Sequence, residues 1–190
     1  MRKLIAGFKI SLDGMIESSA GYADWVEAWA EEYALGEQID TCLLGGAMYP
    51  GYEAYWSALA AAPNEIHPMT GKLPTQGEIT WSERAASIPH VVLSSQLSQA
   101  NWPQTTFIRT LADLQQLKAQ PGKTIYLMGG ANITQQCISA GLLDEIRLIL
   151  YPNLIGVGKP LFGALEQAKN LRLLESTSLT GGRIFLRYGL

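Results

Sequence analysis

Two glycine pairs stand where the chain could hold an anion. Gly129-Gly130 follows the apolar run Ile125 to Met128 and precedes apolar positions at Ile133, Cys137 and Ile138, which Gly141 ends. That order reads as strand, glycine turn, helix and C-terminal glycine. Glycines at such a turn let a ligand approach the unpaired amides of the first helical turn, where the helix dipole favours a phosphate or pyrophosphate. Ala131 opens the helical pattern, and Asn132 is placed either to cap the turn or to bond a ligand. The same pair serves equally well as a tight connection. Gly45-Gly46 repeats the pattern after a second short strand, Thr41 to Leu44, and is followed by Ala47 and Met48. Three carboxylates could supply acid chemistry. Asp13 sits in an Asp13-Gly14 turn, where bonding to neighbouring amides competes with a ligand-facing role. Asp24 heads an amphipathic stretch as a helix cap or as an acid at a cleft, and Glu27 lies within that stretch.

Other chemistries lack support. Gly156 to Lys159 reads GVGK, but the first glycine of a phosphate loop is missing and Pro160 stands where Ser or Thr would hold magnesium. No G-x-G-x-x-G, G-x-S-x-G or paired-histidine zinc pattern occurs. His67 and His90 are isolated, and Cys42 and Cys137 read as core thiols. No metal site is expected.

The 190 residues fit one domain, spanning 1–190, that buries roughly 70% of its unfolded surface. Hydrophobic residues make up 47% and charged residues 16%, against about 25% charged in ordinary domains. Such a surface implies burial against a partner, and a homodimer is the simplest form. A net charge of −3 offers no basic field for nucleic acid or an anionic membrane. The N-terminal apolar run is broken by Lys9 and Asp13, and no apolar stretch is long enough to span a membrane. The expected compartment is the cytoplasm, and the expected partner a small molecule.

The positioning elements alternate. A strand covers residues 2–12, and a helix is expected from about Asp24 to Gln38, with Glu27, Glu31 and Glu32 on its solvated face. Pro50-Gly51 disturbs a helix that resumes in YEAYWSAL, and Pro63 to Glu78 reads as a long irregular loop. Strands follow at His90 to Leu93 and Thr106 to Arg109, then a helix at Ala112 to Ala119. Ile125 to Met128 and Glu145 to Tyr151 have the proportions of a crossover between neighbouring strands. Leu171 to Ser178 and Arg183 to Tyr188, joined at Thr180-Gly181-Gly182, form a hairpin. The pattern is α/β, with a mainly parallel sheet that ends in antiparallel strands.

In their order, SLDGMI (Ser11 to Ile16), LLGGAMY (Leu43 to Tyr49), VVLSS (Val91 to Ser95), LMGGA (Leu127 to Ala131), LLDEI (Leu142 to Ile146) and YPNLIGVGKPLF (Tyr151 to Phe162) resemble the dihydrofolate-reductase-like reductases. That family includes the C-terminal reductase domain of the riboflavin-biosynthesis deaminase-reductase. The resemblance covers nearly the whole chain. It implies a mixed, mainly parallel sheet flanked by helices, and NADPH or NADH lying across the strand ends. By this resemblance Gly129, Gly130 and Ala131 face the pyrophosphate, while Gly45, Gly46, Ala47 and Met48 face the adenosine and phosphate portion from the opposite side. Ser94 and Ser95 sit near its ribose, and Ile16 lies close to the nicotinamide. Asp24 is the position most similar to the family's catalytic acid, followed by Glu27 and then Asp13.

The implied activity is hydride transfer from NAD(P)H to a small heterocycle, pterin- or aminouracil-like. The departures open an alternative. The family usually places basic residues and then Thr after the glycine of the second strand, and here stand Gly46, Ala47 and Met48; Ser95 stands where an arginine often follows the serine. Two lost charge-assisted phosphate contacts weaken binding by roughly 10² to 10⁴. Either NADH is accepted, or Arg109, Lys72 or Arg84 supplies the charge, or the chain is a non-catalytic binding or dimerisation module.

Overall fold

The computed structural model describes residues 1–163, 165 and 167–190. One eight-stranded sheet runs through it. In chain order its strands are β1 (Leu4–Ser11), β3 (Ile39–Gly45), β4 (His90–Leu93), β5 (Thr105–Ile108), β6 (Thr124–Gly129), β7 (Glu145–Tyr151), β9 (Arg172–Ser178) and β10 (Ile184–Gly189). They lie in the order β5-β4-β3-β6-β1-β7-β10-β9. Pairing is parallel from β5 to β7 and antiparallel across β10 and β9. β1 is buried along its whole length, as an apolar run between two parallel neighbours must be.

Each face carries its own core. Ile5, Leu44, Val92, Tyr126 and Ile149 pack under α1 (Tyr49–Ala61), α2 (Gln76–Ser87) and the segment around Val26 to Leu35. Leu4, Ala6, Leu43, Leu127 and Ile146 pack under α3 (Leu111–Ala119) and α4 (Ala131–Ser139). Cys42 and Cys137 are buried free thiols, and burial pushes Cys137 up to about 12.

The expected helix from Asp24 to Gln38 does not form. Only a 3-10 turn, Gly36–Gln38, occurs in that stretch. Buried cations from the sheet account for the difference. Lys9 on β1 donates to the carbonyls of Ala28 (2.6 Å) and Ala30 (3.2 Å). Arg147 on β7 donates to those of Tyr33 (2.7 Å) and Ala34 (3.0 Å). The Trp29 amide donates to Glu78, while Glu31 accepts from the amides of Tyr33, Leu35 and Gly36. A helix would absorb those carbonyls in its own ladder and leave Lys9 with Glu32 alone and Arg147 with Glu145 alone, their other N–H donors buried without acceptors.

Four smaller differences follow from local chemistry. Pro50 lies in the first turn of α1, where its missing N–H is not needed, so it opens the helix instead of disturbing it. The loop after Pro63 ends earlier than expected, because Thr75 and Glu78 form a capping box that starts α2 at Gln76. β6 and β7 are not neighbours, since β1 lies between them. A two-stranded ribbon, β2 (Met15–Ser18) against β8 (Gly158–Pro160), was not anticipated.

Asp13 holds the turn that launches this ribbon. Its carboxylate accepts from the Ser11 hydroxyl (2.6 Å) and from the amides of Ile155 (3.1 Å) and Gly156 (2.7 Å). The Ser11 bond, with those amides, holds its pKa down at about 2.

Two tests address these ties. Arg147→Met leaves the Tyr33 and Ala34 carbonyls without their donor and is expected to lower the unfolding free energy by about 3 kcal/mol in urea denaturation. The clamp should also titrate. Because the folded pKa of Asp13, about 2, lies below the ordinary 3.8, its contribution is complete above that ordinary value and disappears as pH falls towards 2. Exchange at the Ile155 and Gly156 amides, corrected for intrinsic rates, reports this, and Asp13→Ala is expected to remove the protection already at neutral pH.

Candidate cofactor and substrate cleft

β1 and β6 part company. Their pairing runs from Leu4↔Ile125 to Ala6↔Leu127 and stops there. β6 continues along β3, where a register shift between Leu43 and Leu44 leaves Met128 unpaired; such a bulge bends a strand end out of line. β1 continues along β7 as far as Ser11↔Tyr151. A crevice therefore opens at the C-terminal ends of the parallel strands, where the chain order reverses direction across the sheet. Open α/β sheets bind ligands at such a place. Gly7 on β1 leaves room for two core rings, since a Cβ there would lie 2.9 Å from both the Tyr126 hydroxyl and the Tyr33 ring.

The two glycine pairs form facing walls. Gly129 has φ +148°, and a Cβ on it would lie 2.6 Å from Met48 Sδ, so the walls touch there. Gly130 is the N-cap of α4 and has nothing within 4 Å of its Cβ position, so it faces open space. Ala131 is buried; Asn132 is exposed in the first turn, and no side chain caps the helix. At the end of β3, a Cβ on Gly45 would lie 3.5 Å from the Ile133 side chain of α4, and Gly46 packs on Ser94 with no room for a side chain. Ala47 and Met48 are exposed where α1 begins, and Met48 is its N-cap, also without a side-chain cap. Two helix N-termini without side-chain caps thus meet at the Met48–Gly129 contact, each a positive dipole end; α4 presents its first-turn amides, and Pro50 leaves α1 one fewer.

Beyond Gly46, Ser94 Oγ accepts from the amides of Gln96 (3.2 Å) and Leu97 (3.0 Å), and Ser95 is exposed. Arg109, following β5, donates through Nη1 to the carbonyls of Ser94 and Leu97 (2.6 Å). Of the three candidate cations it is the one on this rim. Arg84 bonds the Ile39 carbonyl at the opposite end of β3, and Lys72 lies in the loop beside His67.

On the other side of the crevice, Ile16 lies half-buried in β2 against the core that contains Leu4, Leu127 and Ile146. Asp24 and Glu27 are exposed on the irregular segment, and Asp24 caps no helix. Asp13 is committed to its clamp. Among the described carboxylates with a resolved shift, Asp13, Glu32, Glu53, Glu78, Asp113 and Glu145, every one is held below its ordinary value. None is thereby poised as a neutral acid at pH 7.

A polar cluster on this side was missed from the sequence. Glu32 bridges Lys9 (2.8 Å) and Arg183 (3.2 Å), and Arg183 stacks over the Tyr151 ring with its carbon 5.5 Å from the centroid. Burial pushes Tyr151 up. A charged Lys9 inside an otherwise apolar strand was the available signal, because such a residue is kept only where partners await it. Among the described residues no three His, Cys, Asp or Glu side chains could hold a metal, and no helix is long and apolar enough to cross a membrane.

Comparison with known proteins agrees with this architecture. The Bacillus subtilis protein YyaP is 31% identical over 98% of this chain and 94% of its own. A candidate riboflavin biosynthesis protein of Shewanella sp. PV-4 superposes with a TM-score of 0.69 at 19% identity, covering 98% of each chain. Dihydrofolate reductase from Enterococcus faecalis, solved with NADP(H), superposes with a TM-score of 0.60 at 13% identity, over 98% of this chain and 95% of the enzyme. The family described as the RibD C-terminal domain matches residues 2–185, and to that family this chain belongs.

Proposed function

We propose that the protein is an NADH- or NADPH-dependent reductase of a small heterocycle, pterin- or aminouracil-like. The observation that carries this reading is the crevice between β1 and β6, walled by two uncapped helix N-termini. The chain's own residues fit a dinucleotide. Gly130 leaves open the space that a side chain would fill, and the first-turn amides of α4 suit a pyrophosphate. Ser94 and Arg109 stand on the adenosine side. The bound nicotinamide supplies the hydride. Ile16 bounds the ring on one side, and the segment from Ala23 to Leu35, held by Lys9 and Arg147, closes the substrate space on the other. Asp24 and Glu27, on that segment, are the acids free to approach a substrate, and Asp13 serves the turn beneath them.

A second reading, a binding module without catalysis, draws on Gly46 to Met48, where no cation grips a phosphate. Titration of nicotinamide fluorescence separates the two. The reductase reading expects saturable NADH or NADPH binding below about millimolar, and absence of both removes it. Within it, Gly130→Val is expected to weaken binding about 100-fold or more, with an unchanged melting temperature, because its side chain enters open cleft. Gly129→Val is the uninformative partner, since its positive φ and the Met48 contact strain the fold itself.

Arg109 decides the phosphate form. If its remaining donors reach the 2′-phosphate, Arg109→Ala raises the Kd for NADPH about tenfold and leaves that for NADH unchanged. Equal effects on both would assign Arg109 to the loop alone.

A further inference from the structure

We propose that the Tyr151 hydroxyl is the proton donor to the substrate and that Arg183 takes up the charge of the tyrosinate left behind, an assignment that rests on the reductase reading above. Tyr151 ends β7 and pairs with Ser11 at the end of β1. Beyond Ala6, β1 has parted from β6, so the crevice runs along the other flank of β1, one strand spacing of about 4.8 Å from β7. The Tyr151 ring belongs to the core that also holds Val26 and Tyr33 of the irregular segment. That segment is the one that closes the proposed substrate space.

The hydroxyl has a proton to spare. Tyr151 is 7% exposed, its hydroxyl accepts from Arg183 Nη1 at 3.4 Å, and among the described residues it donates to nothing. Tyr49 and Tyr55 spend their protons on Glu53 (2.8 Å) and Glu78 (3.3 Å). A buried donor left unpaired costs free energy that an acceptor on a ligand restores. The Tyr33 and Tyr126 hydroxyls are also unbonded among the described residues, but the charges that reach them are Glu31 and, for Tyr33, Glu32, which oppose a tyrosinate. Tyr151 has a cation instead. Arg183 stacks over its ring and is fixed there, Nε donating to the Thr180 carbonyl (3.1 Å) and Nη1 to Glu32 (3.2 Å). Burial raises the pKa of Tyr151 and Arg183 opposes the rise, while Glu32 and Glu27 add to it; Lys9 stands behind Glu32. The proton therefore stays on oxygen through the neutral range, the state a donor must hold.

As a hydride from the reduced nicotinamide forms a C–H bond at the carbon of the substrate's C=N bond, the π pair moves to nitrogen, which takes the Tyr151 proton as the O–H bond breaks. The nicotinamide is oxidised, the imine is reduced, and water returns a proton to the tyrosinate.

Nicotinamide fluorescence of the full chain comes first, since absence of both NADH and NADPH binding ends the reductase reading and this assignment with it. With 7,8-dihydropterin as the substrate probe, Tyr151→Phe is expected to lower kcat about 100-fold or more at an unchanged cofactor Kd, and Arg183→Gln about tenfold. The wild-type rate is expected to stay level from about pH 6 to 8 and to fall only above about pH 10, as the proton leaves Tyr151. Asp24 or Glu27 as donor would instead lose the rate as pH rises through the acidic and neutral range. Contact is read without turnover. With the oxidised cofactor bound, the carbon-13 signal of ring-labelled Tyr151, identified by its loss in Tyr151→Phe or its shift in Arg183→Gln, is expected to move when the pterin is added. That signal decides the matter should Tyr151→Phe fold poorly. A Tyr151→Phe protein that reduces the pterin at the wild-type rate, or a Tyr151 signal that ignores bound pterin, overturns the assignment and leaves cofactor binding and the reductase reading in place. A pterin neither bound nor reduced by the cofactor-loaded protein overturns it too.

Discussion

Two cations hidden beneath one irregular segment determine how the chain is laid over one face of the sheet. Lys9 and Arg147 rise from adjacent strands, and both are almost fully buried. Each must find acceptors or forfeit several kcal/mol of desolvation. Beside Glu32 for Lys9 and Glu145 for Arg147, they find them in the carbonyls of residues 28 to 34, which cannot also form a helical ladder. The segment is therefore spread over the sheet, and its remaining amides go to Glu31 and Glu78. Burial lowers the pKa of Lys9 while Glu32 opposes that shift, and Glu32 is itself held down by Lys9 and Arg183. The interaction that defeats the helix also builds the polar cluster at the crevice rim.

The crevice itself comes from backbone. A bulge at Met128 and the end of β1–β6 pairing at Ala6 open the sheet without any special side chain. Beside it, Gly7 lets the core rings of Tyr33 and Tyr126 pack directly on β1, meeting edge to face at 6.0 Å. Glycines at 45, 46, 129 and 130 then serve different ends. Gly46 and Gly129 are required by close packing, whereas Gly130 borders open space.

This division explains what could be read from the sequence. Strand limits at His90–Leu93 and Glu145–Tyr151 were visible because buried parallel strands are short apolar runs between turn residues. The C-terminal hairpin was visible from its glycine turn. Residues 24 to 38 misled because their apolar spacing suits a helix, and only the distant Lys9 and Arg147 decide otherwise. The Thr75–Glu78 capping box was present in the sequence and outweighed by the surrounding Pro and Gly. The glycine turns after β3 and β6 were legible because a turn leaves a local signature. The Lys9–Glu32–Arg183 cluster was not, since its members lie on three elements far apart in the chain.

The absence of basic residues at Gly46 to Met48 can now be weighed against what remains. A helix N-terminus stabilises an anion by about 0.3 to 1 kcal/mol when exposed and up to about 2 when partly buried. Two of them converge here. A charge-assisted hydrogen bond contributes about 1.5 to 3 kcal/mol, so the two missing cations outweigh the two dipoles, and the backbone alone makes a weaker site. The dipoles act on any anion that enters the crevice, however, whereas a cation on the adenosine side acts on the 2′-phosphate in particular. Removing the side chains while keeping the helices therefore lowers discrimination more than it lowers recognition. Met48 bears on the same balance: its thioether lies against Gly129 at the meeting of the two N-termini, so under the proposed reading a pyrophosphate would have to displace it to reach both sets of amides.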